Sequence, residues 1–244
     1  MARLTRHELK TDEFQSTVES FEQFAKANAK QIITGVAGAL LVAGAVIGWR
    51  MYSGRQEAAA NAALGQALKT FKTEVNAAPV NLFSGQTPPA GQFATPQDKY
   101  KAALAQFSEV AATYPRQTAG EFALYHAGLC QALLGDDAAA QKTLEAASHS
   151  SNKAAAALAS LTLAGELAKT GKVAEAAKIY QNLADHPAST VPRATALLAE
   201  ADLLRSTQPA QARALYETVA KEFSSDAYLS STVRQEIASL PTPH

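Results

Sequence analysis

The sequence predicts an all-α protein, in which an N-terminal transmembrane helix and stalk are followed by an α-solenoid of stacked hairpins. Three observations carry that expectation. Residues 32–49, IITGVAGALLVAGAVIGW, form an eighteen-residue run without a single charge. Alanine dominates the remainder, and the 13 Gly and 10 Pro cluster in a few places, a composition suited to closely packed helices. A small Ala four residues ahead of a large apolar residue recurs as Ala103/Phe107, Ala140/Leu144, Ala176/Tyr180 and Ala212/Tyr216, at intervals of 37, 36 and 36 residues. Stacked helical hairpins produce a fixed period of that size.

The head, residues 1–31, reads as an amphipathic helical segment. Thr5 with Glu8 matches a capping box, and Thr11 followed by Asp12 and Glu13 marks a second helix start. From there Phe14, Val18, Phe21 and Ala25, with Phe24 beside them, return at helical spacing, opposite Glu19, Glu22 and Gln23. Such a face needs a partner, either another protein or the membrane surface. Its acidic polar side works against anionic lipid.

Residues 32–50 read as the anchor. At ~1.5 Å per residue the uncharged run covers about 27 Å, close to the ~30 Å apolar thickness of a bilayer. A cleavable signal peptide fits poorly, because the charged head is long and Trp49-Arg50 stands where small residues would be cut. Lys26 and Lys30 flank one end of the run and Arg50 and Arg55 the other, nearly a tie, but Arg3, Arg6 and Lys10 add positive charge to the short head, which orients it toward the cytoplasm and the long C-terminal body outward. Gly44 and Gly48, with Gly35, Ala39 and Ala43, place small residues where a second transmembrane helix could approach.

Beyond the anchor, residues 51–75 favour a helical stalk with Ala60, Leu64, Ala67, Leu68 and Phe71 on one side. Residues 76–97 contain Pro79, Pro88, Pro89 and Pro96 together with Gly85 and Gly91, so they cannot form one helix and read as a loop, either a lid or a passive connection. Residues 98–240 carry the repeats. Gly135-Asp136 and Gly171-Lys172 each begin five residues before the small Ala of the following helix, where Gly ends the preceding helix by accepting a left-handed conformation.

These residues give the segment a resemblance to tetratricopeptide repeats. The best match is 127–147, through Gly128, Gly135, Ala140 and Ala147, and the likeness covers residues 97–223. The period exceeds the usual ~34 residues and the early Trp is missing, as in divergent repeats. The first repeat departs from the pattern, since its first helix falls in the Pro-rich loop, where the stalk could substitute for it. The order of charged head, single span, stalk and divergent repeats further resembles the single-pass family that contains the ancillary, repeat-bearing subunit of the bacterial Sec translocon. That resemblance implies an inner-membrane protein with a periplasmic C-terminal domain, whose partners are other proteins: translocon subunits, chaperones or exported chains. It also implies a partner groove lined by the first helix of each hairpin, which places Phe122, Tyr125 and Leu129, then Leu158 and Leu161, then Leu197 and Leu204 near it. Lys169 and Arg205, 36 residues apart, could form a basic edge for carboxylates.

Charge and motifs narrow the function classes. The chain holds 22 Lys/Arg and 22 Asp/Glu, five of each before Ile32, a balance that speaks against nucleic acid. The single Cys130 sits in the apolar stretch LYHAGLCQALL and reads as core. His126 and His149 lack a ligand-spaced partner, His7, His186 and His244 are isolated, and Asp136-Asp137 reads as a helix start. Without a phosphate-binding loop, a nucleophile elbow or a metal motif, the expectation is a non-enzymatic adaptor with no cofactor, metal or small-molecule substrate. The alternative is a structural scaffold that organises envelope or cell-division complexes.

Overall fold

The structure, a computed structural model, describes residues 28–75 and 93–240. The expected head helix from Thr11, most of the Pro/Gly-rich loop, His7 and His244 lie outside the described residues. The described elements run in the order α1 (Ala29–Lys72), α2 (Pro96–Thr113), α3 (Thr118–Leu133), α4 (Asp137–Ser148), α5 (Lys153–Lys169), α6 (Val173–Asp185), α7 (Arg193–Leu204), α8 (Pro209–Glu222) and α9 (Ala227–Ser239). No strand occurs among them, although isolated bridges join Val75 to Phe93 and Ala188 to Val191. The all-α expectation therefore holds for the described chain.

Two compact units divide the chain, one ending at Arg55 and the other starting at Gln56. In the first, α1 leaves its apolar side chains uncovered: Leu41 is 76% exposed and Trp49 71% exposed, with Ile33, Leu40, Val42 and Ile47 similarly open. Two of its hydroxyls bond back to the helix itself. Thr34 Oγ1 donates to the Lys30 carbonyl at 2.7 Å and Ser53 Oγ to the Arg50 carbonyl at 3.2 Å, each within one helical turn. α1 is long and apolar enough to cross a membrane.

In the second unit, the repeated Ala and large apolar residues of the sequence are all interior. Ala103, Phe107, Ala140, Leu144, Ala176, Ala212 and Tyr216 are fully buried and Tyr180 nearly so. They lie in α2, α4, α6 and α8, so the interval of 36 or 37 residues marks a buried pair in each of four helices. Burial of each large side chain stabilises by about 1.5–3 kcal/mol. From α2 to α9, each helix packs on its neighbours in the chain, and α3 also touches α5.

The turns follow their sequence. Gly135 and Gly171 adopt φ of +81° and +83°, and each closes its helix in the same way. Asp136 N–H donates to the Gln131 carbonyl and Gly135 N–H to that of Ala132, while Lys172 and Gly171 repeat the pair on Leu167 and Ala168. Asp136 then caps α4, accepting from Ala139 N–H at 3.2 Å, and Asp226 caps α9, accepting from Leu229 N–H at 3.0 Å.

Two boundaries differ from the sequence expectation. The loop ends earlier than residue 97, because Thr95 caps α2 by accepting from Asp98 N–H at 3.1 Å and Pro96 occupies the first helical position, where its missing N–H costs nothing. The 51–75 segment is also more than a stalk. Ala67 is buried with Ala103, Phe107 and Val110 of α2 and Ala123, Ala127 and Cys130 of α3, while Leu64, Leu68 and Phe71 pack around them. Residues 56–72 thus stand in for the helix that the Pro-rich loop could not supply.

Candidate partner-binding face

α3 lies between two clusters of buried side chains. Ala123, Ala127 and Cys130 join the cluster of α1 and α2, whereas Leu124, Tyr125 and Ala132 pack against the larger core built from α4 onward. This double engagement leaves Phe122, Tyr125 and Leu129 half-buried. Leu158 and Leu161 on α5 are half-buried as well and lean on the larger core. Leu197 and Leu204 differ from the expectation. They are only 5% and 2% exposed and belong to the core, because α7 is covered by both α6 and α8. A continuous apolar groove through all seven residues is therefore not formed.

A depression that the sequence did not single out opens on another side of α3. It encloses about 520 Å³ between α2, α3, α4 and the turn after α4, with Ala111, Ala112, Leu124, Ala127 and Ala146 among its apolar lining. Leu124, Ala127 and Gln131 share a face through spacings of three and four, away from Phe122, Tyr125 and Leu129. Glu121 builds the rim: its Oε1 accepts from Ser151 N–H at 2.8 Å and from Ser151 Oγ at 2.6 Å, and its Oε2 accepts from Asn152 N–H at 3.0 Å. Gln131 Oε1, which borders the depression, is buried with no donor among the described residues.

The expected basic edge is engaged elsewhere. Lys169 Nζ lies 2.5 Å from Asp137 Oδ1 and 3.6 Å from Glu166 Oε2. Arg205 pairs with Glu236 at 2.7 Å and also donates to Ser239 Oγ. These contacts tie the start of α4 to the end of α5 and α7 to α9.

Cys130 is buried and His126 half-buried in the packing of α3. Burial pushes the Cys130 thiol up to about 12, far from the range of a nucleophilic or redox thiol. His126 is lowered to about 4, by burial first and by nearby Lys72 second, with its ring stacked on Phe107 at 4.9 Å and flanked by Phe71 and Tyr125. Among the described residues no group of three His, Cys, Asp or Glu side chains converges on a metal-sized site. Gly44 and Gly48 have open space where a side chain would stand.

No family model, curated protein or solved structure matches the chain.

Proposed function

We propose that the chain is a membrane-anchored adaptor whose tetratricopeptide-like α-solenoid recruits other polypeptides beside the secretory translocon. In this reading residues 32–50 cross the inner membrane once, the head lies in the cytoplasm and the helical unit in the periplasm. The partners are translocon subunits, extracytoplasmic chaperones or exported chains. The role is one of binding, without catalysis, cofactor or nucleic acid.

One observation carries the proposal: an uncovered apolar run shares a single helix with the first core-forming segment of a unit in which a buried Ala and a large apolar residue recur at intervals of 36 or 37 residues. Anchoring and repeated hairpins together suit a protein that holds others at a membrane. The depression beside α3 adds a second support. Its lining mixes small apolar side chains with the hydroxyls of Ser108, Thr143, Ser150 and Ser151, which suits a polypeptide.

The test is crosslinking in cells followed by purification in mild detergent and identification of the adducts. Translocon subunits, extracytoplasmic chaperones and exported chains should dominate. A double variant, Ala112→Glu and Ala146→Glu, alters exposed positions of the depression and should reduce that capture while the helical content is kept. Adducts dominated by wall or division components would instead point to a scaffold.

A further inference from the structure

The end of the anchor carries aromatic and basic side chains together. Trp49 and Tyr52, 71% and 61% exposed, lie three residues apart on one face of α1, and exposed Arg50 and Arg55 stand beside them. Indole and phenol rings have an apolar body and a polar tip, which makes the headgroup layer of a bilayer their preferred depth. Guanidinium groups at the same level meet phosphates through paired N–H donors.

Length agrees with that placement. Lys30 and Trp49 are 19 positions apart on one continuous helix, about 29 Å at the helical rise of ~1.5 Å per residue, which matches a ~30 Å hydrocarbon core. From Trp49 to Arg55 the helix advances about 9 Å, comparable to the roughly 5–8 Å of polar layer on one side of a bilayer. Lys30 therefore falls at one boundary when Trp49 falls at the other.

Resting on the reading of residues 32–50 as a span, we infer that the bilayer boundary crosses α1 at Trp49–Tyr52. The two rings occupy the headgroup layer, and Arg50 and Arg55 bind the phosphates of phospholipid. These four residues fix how deeply the anchor sits.

Trp49 is the one tryptophan of the chain, so its fluorescence reports this depth directly. The full-length protein is placed in vesicles of phosphatidylcholine and phosphatidylglycerol that carry bromine either near the acyl carbonyls or near the chain ends. The shallow bromines should quench Trp49 about twofold more strongly than the deep ones. In an Arg50→Gln, Arg55→Gln variant the difference should shrink as the ring sinks. A second variant, Trp49→Phe with Val42→Trp, moves the fluorescent ring to mid-span, where the deep bromines should win. Deep quenching of this mid-span ring together with deep or absent quenching of Trp49 would overturn the inference and leave the span intact. Absence of quenching at both positions would overturn the span as well. An unchanged profile in the arginine variant would remove the phosphate contacts.

Discussion

At the scale of the residue, Gly128 sits where α3 and α4 approach closely. A Cβ on Gly128 would lie 2.7 Å from Leu144 Cγ and 2.9 Å from its Cδ2, closer than packed carbon atoms can stand. Gly128→Ala should accordingly cost about 1–3 kcal/mol by forcing α3 from α4, seen as a lower melting temperature in detergent. No change would mean that the two helices are not in this register. His126 makes a pH prediction whose direction follows from its lowered value. A ring held neutral down to about 4, against an ordinary 6.5, contributes stability that is complete above pH 6.5 and is lost as pH falls toward 4. The effect reaches at most roughly 3 kcal/mol. His126→Phe, measured against the natural chain across that window, should have the flatter stability profile. Equal slopes would show that the ring is hydrated in the folded protein.

At the scale of the element, the repeat register makes its own demand. Ala140 and Ala176 are completely buried at equivalent sites of α4 and α6, so Leu at either should cost about 1–3 kcal/mol through overpacking. Unchanged melting of both variants would contradict the register. Much of this level is legible in the sequence because it rests on local chemistry. The glycines that end α3 and α5 and the aspartates that cap α4 and α9 act within a helical turn, and the Ala and large-apolar series shows directly as spacing along the chain. Other features depend on which neighbour covers a face. Leu197 and Leu204 share one face of α7, but only the arrival of α6 and α8 on that helix decides that the face is core. The depression beside α3 was hidden for the same reason, since Ala112, Leu124 and Ala146 become its walls only once three helices have packed. Residues 56–72 join the core through Ala67 and Phe71, whose partner Phe107 lies beyond the Pro-rich segment.

At the scale of the whole molecule, an uncovered apolar helix and a helical unit are joined in one chain, and the proposed role depends on which side of the membrane that unit occupies. The head has five basic residues and the C-terminal part has no second run comparable to residues 32–49, so the positive-inside rule favours a helical unit outside the cytoplasm. The site for measuring this is exposed Ser225, immediately before the Asp226 cap of α9. The only native thiol, Cys130, is buried and held up to about 12, which keeps background labelling low. A membrane-impermeant maleimide applied to intact bacterial spheroplasts should label Ser225→Cys and leave the natural chain unlabelled. Labelling of a folded Ser225→Cys protein only after lysis would place the helical unit in the cytoplasm and contradict a role among exported chains.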